Sequence, residues 1–171
     1  MAELLPAFVI LLVIVAVFGL MAWGWRGRRR RQAHVPAPEA VPADLGEPAA
    51  HVEALHVATT LADEPLERVA VHGLGFRAST RLSVYSRGVT LDLAGRDPFF
   101  IPVADLRGAG RATWTIDRVV ENDGLVFVRW MLGTTAIDTY LRLSDSAASS
   151  ALVSTLLDLL PVPHRAEGTT S

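Results

Sequence analysis

The chain has no cysteine among its 171 residues, few aromatic residues (7%), and no lysine, because all sixteen of its basic residues are arginine. Without cysteine there can be no disulfide framework, thiolate metal site or cysteine nucleophile. We attribute the arginine bias to genomic base composition, so it carries little mechanistic content.

Motifs of nucleotide and hydrolase chemistry are also missing, since GxGxxG, GxxxxGK[ST] and GxSxG do not occur. The histidines form no metal-ligand pattern: His51 and His56 lie five apart without an HExxH frame, and we predict surface or capping roles for them. Gly108 to Gly110 is predicted to be a turn. The sequence therefore predicts no enzyme: no catalytic residue, no cofactor, no metal site and no small-molecule substrate.

The net charge of −2 conceals an asymmetry along the chain. Residues 1–31 carry five arginines against Glu3, whereas residues 32–171 carry eleven arginines against seventeen acidic residues. The second part is mildly acidic, which argues against nucleic acid as a partner.

Residues 4–25 are a run of 22 positions without a charged side chain. As a helix the run reaches about 33 Å, enough for a hydrocarbon core of about 30 Å. Pro6 falls in the first turn, where proline is tolerated. We predict a transmembrane helix over 4–25, preceded by a short extracytoplasmic N-terminus, residues 1–3.

The end of this run has the composition of a membrane interface. Indole rings prefer the headgroup region, and arginine clusters mark the cytoplasmic side of a span. The predicted membrane-interface residues are Trp23, Trp25, Arg26, Arg28, Arg29, Arg30 and Arg31, of which 26–31 form the Arg-rich boundary. We therefore predict a single-pass protein of the cell membrane with a cytoplasmic C-terminal domain, and the arginines can also attract anionic lipid headgroups.

Two other interpretations of the run are a cleaved secretory signal and a buried helix of a soluble protein. A signal places positive charge before a shorter apolar core and ends at a small-x-small site, whereas the only charged side chain before this run is that of Glu3. The length of the run and its flanking residues favour a span over a buried helix.

The remainder divides into three parts by composition. Residues 32–50 are rich in proline without apolar periodicity, which predicts an extended, solvated linker. Residues 51–161 alternate short apolar strands with turns, which predicts one folded domain. Residues 162–171 are predicted to be a flexible tail.

Within the domain, two hairpins stand out. Residues 82–86 and 89–93 flank the predicted two-residue turn Arg87-Gly88, and residues 112–120 lead through 121–124 into 125–132. In 125–132 the residues Val126, Val128, Trp130 and Leu132 share one face, which predicts a central strand that is covered on both sides. In the next strand, Asp138, Tyr140 and Arg142 are predicted to point outward.

Residues 146–160 form the predicted C-terminal helix, because capping residues precede them and Pro161 follows. Their leucines recur at helical spacing, at positions 152, 156, 159 and 160. This stripe predicts a face that is buried on the sheet. A membrane-surface or partner-binding face is the other interpretation, but the helix lacks the basic polar face of such helices.

The predicted meander of antiparallel strands closed by one helix resembles the pleckstrin-homology-like (PH-like) barrel or sandwich. The segments LSVYSRGVTLDL, FFIPVADLRGAG and LVFVRWMLGTTAIDTYLRL look like its bacterial form, and VATT at 57–60 with LERVAVHGLGFR at 66–77 resembles small bacterial single-pass membrane proteins that carry such a domain. The resemblance implies a mainly β fold. It brings no activity and no binding residues, although such proteins are sometimes labelled transport or export proteins.

The segment Gly73-Leu-Gly-Phe76 is also the sequence of the loop with which PDZ domains hold a peptide carboxylate. The residues around it do not fit a PDZ domain, so we predict that its glycines bend the backbone and that Phe76 lies in the core. Because His72 and Arg77 flank this segment, binding of an anion or a partner is a second interpretation of the loop. The candidate partner- or anion-binding loop consists of His72, Gly73, Leu74, Gly75 and Arg77.

The sequence thus predicts a membrane-anchored binding or scaffold module that recruits an unidentified protein to the inner face of the membrane. The alternative is an accessory subunit of a transport or export complex that interacts through its transmembrane helix. A third hypothesis, direct headgroup binding by the domain, is weakened by the acidic balance of residues 32–171.

Overall fold

A computed structural model describes residues 4–31, 35–112 and 125–160. The chain separates into two compact units, residues 1–34 and 35–171. The predicted N-terminus 1–3, the strand portion 113–120, the turn 121–124 and the tail 162–171 lie outside the described residues.

The first unit contains one long helix, α1 (Leu4–Arg31). Its segment Phe8–Gly27 has a mean hydropathy of 2.5, and none of it is buried. By length and composition this helix is able to cross a membrane. The backbone stays helical through the arginine cluster, so α1 extends six residues beyond the predicted span.

The second unit is an antiparallel sheet followed by a helix. Within the described residues the sheet has nine strands in the order β1-β6-β5-β4-β2-β9-β8-β7, with β3 paired to β2. The strands are β1 (Glu39–Ala40), β2 (Ala50–Leu61), β3 (Glu64–Arg68), β4 (Ala78–Tyr85), β5 (Gly88–Leu93), β6 (Phe99–Pro102), β7 (Leu106–Ala112), β8 (Leu125–Leu132) and β9 (Thr135–Arg142).

Strand β2 joins the two halves of this sheet. Its first part pairs with β4, from Ala50 opposite Val84 to His56 opposite Ala78. Its second part pairs with β9, and the register shifts between His56 and Ala58. Because β1 and β7 stand at opposite ends of the strand order, the sheet folds over on itself without closing. The mainly β PH-like prediction is confirmed, and its form is a sandwich rather than a barrel.

The two halves share one hydrophobic core. The rings of Phe99 on β6 and Trp130 on β8 stack across it with centroids 6.0 Å apart. The predicted inner face of β8 is confirmed, because Val126, Val128, Trp130 and Leu132 are all at most 3% exposed.

Helix α2 (Ser146–Leu159) packs mainly on β7. The Asp145 carboxylate caps it by accepting a hydrogen bond from the Ala147 N–H at 2.9 Å. Leu152 and Leu156 are buried, whereas Leu157 on the opposite side is 47% exposed. The predicted helix and its core-facing leucine stripe are therefore confirmed.

Two predicted turns differ from the structure. Tyr85 pairs with Gly88, so the β4–β5 turn consists of Ser86 and Arg87, and Gly88 is the first residue of β5. Gly108 and Gly110 belong to β7 rather than to a turn. A Cβ on Gly110 would lie 2.8 Å from Cε1 of Phe127, so this glycine serves strand packing.

The structured domain begins earlier than the sequence predicts. Val35 is 3% exposed in the core, and β1 pairs with β6, within the segment predicted as a solvated linker. Asp44 also forms an ion pair with Arg87 at 2.9 Å. Residues 35–49 therefore form a strap that packs on the domain through Val35, β1 and Asp44.

Asp138 and Tyr140 face away from the main core, as predicted, yet they are only 4% and 9% exposed. Tyr140 packs with Val57 and Leu125 in a small second cluster. Asp138 is covered by Arg129, which reaches across from β8. Alternation along the strand gave the direction of these side chains but not their burial.

Candidate functional site

The predicted partner- or anion-binding loop lies in the β2–β4 connection, which we define as residues 62–77. Leu74 is fully buried, and Val69 and Val71 are also in the core. The loop therefore packs into the sandwich through its apolar side chains. Gly73 and Arg77 are on its exposed side.

Three carbonyl groups fix this loop to its surroundings. The Leu74 carbonyl accepts from the Thr59 N–H at 3.0 Å, and the Phe76 carbonyl accepts from His56 Nδ1 at 2.8 Å. The His72 carbonyl accepts from the Arg96 guanidinium. Because both β2 and the β5–β6 turn hold the loop, its exposed side chains stand on a rigid frame.

The two glycines of the loop have backbone roles. Gly73 adopts a φ of +71°, which glycine reaches without strain. A Cβ on Gly75 would lie 2.9 Å from the Val69 carbonyl oxygen. These backbone requirements account for both glycines, so neither glycine is evidence for a bound ligand.

The structure does not fit a PDZ-like carboxylate clamp. The Leu74 N–H already donates to the Val71 carbonyl at 3.2 Å. Strand β4, which follows the loop, is paired with β2 on one side and β5 on the other. A peptide strand therefore cannot add beside β4, as PDZ recognition requires.

The polar and aromatic side chains of the loop take different positions from those predicted. His72 Nε2 donates to the Val35 carbonyl at 2.9 Å, so this ring ties the strap to the loop. Phe76, predicted to be in the core, is 61% exposed, and Leu66 on β3 is 76% exposed. The β2–β4 connection thus presents two large exposed apolar side chains that were not among the predicted residues of the candidate loop.

The predicted membrane-interface residues all lie on α1. Trp23 and Trp25 are 74% and 51% exposed, and Arg26 is also exposed. Arg28, Arg29, Arg30 and Arg31 occupy the last helical positions of α1.

A buried chain of hydrogen bonds runs from this loop into the core, and sequence reasoning missed it. Trp130 Nε1 donates to Thr139 Oγ1 at 3.0 Å, and Thr139 lies 3.1 Å from Thr59 Oγ1. Thr59 Oγ1 is 3.0 Å from His56 Nε2. Indole N–H can only donate and the Phe76 carbonyl can only accept, so His56 carries its proton on Nδ1 and accepts at Nε2.

His56 was predicted to have a surface or capping role, and that prediction is wrong because the ring is fully buried. Its position at the register shift of β2 turns it inward between the two halves of the sheet. Burial lowers the pKa of His56, the Phe76 carbonyl raises it in part, and the nearby Arg96 charge lowers it further.

We expect the folded state to lose stability in mildly acidic solution through His56. Because its folded pKa lies below the unfolded value of about 6.5, the unfolded chain binds more protons as the pH falls through that value. The free energy of unfolding should then fall by at most about 1.4 kcal/mol per pH unit. Denaturant unfolding of the full chain in neutral detergent, between about pH 7 and 5.5, measures this slope.

The control for this prediction is His51, which is exposed on the same strand. His51→Gln should leave the slope unchanged, whereas His56→Gln should lower overall stability and reduce the slope. Equal slopes for the two variants would contradict the assignment to His56.

A second polar cluster lies on the outer face of β8 and β9. Arg129 donates to both carboxylate oxygens of Asp138, at 2.7 and 2.8 Å, and to Asp63 at 2.9 Å. Hydrogen bonding to Asp138 raises the pKa of Arg129. Within the described ranges no three His, Asp or Glu side chains converge as metal ligands.

Comparison with known proteins assigns the family. The family described as "Bacterial PH domain-like" matches residues 34–156, more than half of the chain. A search of curated proteins gives no match. Among solved structures, the crystal structure of the C-terminal domain of an unknown protein from Leishmania infantum is 13% identical, covers 80% of this chain and 98% of its own, and has a TM-score of 0.40. On the strength of the family match and the sandwich fold, the chain belongs to the bacterial PH domain-like family.

Proposed function

We propose that this protein is a non-enzymatic, membrane-anchored binding module whose PH-like domain holds a protein partner at the inner face of the cell membrane. The observation that carries the proposal is the exposure of the segment Phe8–Gly27, which is strongly apolar and has no buried residue. A helix whose apolar side chains are exposed all round requires lipid or another apolar partner.

The composition of α1 supports the orientation. Trp23 and Trp25 precede the arginines 26–31, the order expected where a helix emerges on the cytoplasmic side. Each arginine near an anionic leaflet contributes about 1 kcal/mol of attraction. The same segment would therefore fix the topology and favour anionic headgroups.

The β2–β4 connection is the surface we assign to the protein partner. Leu66 and Phe76 are exposed on it, while three backbone carbonyls and the buried Leu74 hold the loop in place. Large apolar side chains on a rigid frame lose little conformational entropy on binding, which suits them as contact residues.

Photo-crosslinking in intact cells of the native host tests this assignment. We expect Phe76→p-benzoylphenylalanine to form a discrete protein adduct. The same replacement of Leu157, which is 47% exposed on α2, should not. Equal adducts from both positions, or none from Phe76, would contradict the assigned surface.

The alternative function, an accessory subunit of a transport or export complex, predicts contact through α1. Phe18, which is 66% exposed on that helix, is the matching crosslinking position. Adducts from Phe18 alone would favour the accessory subunit. If the protein is an accessory subunit, replacing residues 4–25 with an unrelated apolar helix should abolish its function. If it is a scaffold, the same replacement should leave its function intact.

The absence of cysteine allows a direct check of orientation. Ser86→Cys places a single thiol in the exposed β4–β5 turn. A membrane-impermeant maleimide should label it only after the cells are permeabilised. Labelling of intact cells would overturn the proposed cytoplasmic location.

A further inference from the structure

The strap, residues 35–49, is held on the domain mainly at one end. Val35 is 3% exposed and is the only buried residue of this segment. Strand β1 has two residues and pairs with β6 at one end of the strand order. The ion pair of Asp44 with Arg87 is exposed on both sides, at 78% and 53%. A segment with so few buried contacts opens at a lower free-energy cost than the whole domain, so the strap is able to undock locally.

The buried end of the strap is tied to the β2–β4 connection. His72 Nε2 donates to the Val35 carbonyl at 2.9 Å. Val35 also belongs to the same core cluster as the three buried residues of the connection, Val69, Val71 and Leu74. The strap and the connection therefore share a hydrogen bond and a hydrophobic core.

His72 is held in a backbone conformation that few side chains adopt. Its φ is +53°, and Gly73 after it has a φ of +71°. Left-handed backbone at a residue other than glycine costs free energy and persists where surrounding contacts hold it. Two side-chain hydrogen bonds hold His72, one from its own ring to the Val35 carbonyl and one from the Arg96 guanidinium to the His72 carbonyl. The first of these is lost when the strap leaves the domain.

We infer that docking of the strap controls the conformation of the partner surface. The docked strap, as in this structure, holds His72 and with it the β2–β4 connection, whereas an undocked strap lets the connection relax. The inference rests on the proposed function, since the connection carries the assigned contact residues Leu66 and Phe76. By linkage, a partner that binds the ordered connection favours the docked strap, and undocking of the strap weakens partner binding by the same factor.

Hydrogen exchange of the purified full chain in neutral detergent, measured by mass spectrometry at neutral pH, tests the inference. Val35→Asp should undock the strap, because an unpaired carboxylate is too costly to bury in the core. We expect the amides of residues 66–76 to exchange at least about fivefold faster, the lower end of typical coupling between two sites. Strand β8 should keep its exchange rate. Val41→Asp is the matched control, because it adds the same charge to the strap at a position that is 36% exposed and should leave residues 66–76 unchanged.

A variant on the other side of the contact gives the reciprocal measurement. In His72→Asn the new side chain tolerates left-handed backbone but is too short to replace the ring as donor to Val35. It should speed exchange in β1 and leave β8 unchanged. Unchanged exchange of residues 66–76 in Val35→Asp would overturn the inference. If Val35→Asp speeds exchange in β8 equally, the whole domain is destabilised and His72→Asn decides: faster exchange in β1 supports the inference, and an unchanged rate overturns it.

Crosslinking distinguishes a failure of this inference from a failure of the proposed function. In the chain with Phe76→p-benzoylphenylalanine, adding Val35→Asp should reduce the protein adduct at least about fivefold. An undiminished adduct, despite faster exchange in residues 66–76, would overturn control of partner binding by the strap. Absence of an adduct before Val35→Asp is added would contradict the assigned partner surface instead, while the exchange measurement tests the strap without any partner.

Discussion

Replacing Gly88 by alanine should destabilise the domain by more than about 3 kcal/mol, the largest effect we expect from any single methyl group in this chain. Gly88 has a φ of +155°. A Cβ there would lie 2.2 Å from the Ile101 carbonyl oxygen and 2.6 Å from Cζ of Phe100. The carbonyl belongs to β6, which pairs with Gly88 at Pro102, so the strand itself would have to move.

Gly95 provides the matched control for this prediction. It also has a positive φ, of +90°, but a Cβ there would meet nothing within 4 Å. Gly95→Ala should therefore cost only the backbone strain, about 1 to 2 kcal/mol. Denaturant unfolding of the full chain, followed by near-UV circular dichroism, measures both variants. Equal costs would show that the clash at Gly88 is relieved without loss of packing.

Replacing Arg129 by methionine should cost about 3 kcal/mol or more, because it leaves a buried carboxylate without its counter-ion. The Asp138 side chain is 5% exposed, and Arg129 donates to both of its oxygens. Methionine keeps the apolar stem of arginine, so most of the loss would come from the charge and the hydrogen bonds. The same unfolding measurement reports it.

Two further variants distinguish the effect of burying an ion pair from the effect of simply breaking one. Arg81→Met breaks the ion pair with Glu53, in which both side chains are largely exposed, and should leave the unfolding midpoint nearly unchanged. Adding Asp138→Asn to Arg129→Met should recover part of the loss, since the amide is neutral. If Arg129→Met and Arg81→Met had the same effect, the burial of Asp138 would not be the cause.

Elements defined by local periodicity were predicted well. The apolar face of β8 and the leucine stripe of α2 repeat within a few residues, and both are buried as expected. The capping residue of α2 acts within its own first turn. Such features depend on residues that are close together in the sequence, so they can be predicted from the sequence alone.

Features that depend on distant strands were missed. Val35 looks like a linker residue until its buried position against the sheet is known, and Pro36 beside it lies close to Gly133 in the β8–β9 turn. Thr59 and Thr139 are 80 residues apart, and only the β2–β9 pairing joins them into one hydrogen-bond chain with His56. The candidate site follows the same rule, because the Phe76 backbone is held by His56, 20 residues earlier in the chain, while its side chain is exposed.

By itself, the sequence determined the apolar length of α1, the arginines that end it, and the mainly β character of the domain. These features follow from the solvent preference of each residue and from the local periodicity of the strands. Only the tertiary structure decided which polar groups are buried and which lack a partner. Burial and pairing are set by strands that meet from distant parts of the chain, so His56 is buried and hydrogen-bonded only when β2 is paired on both of its edges.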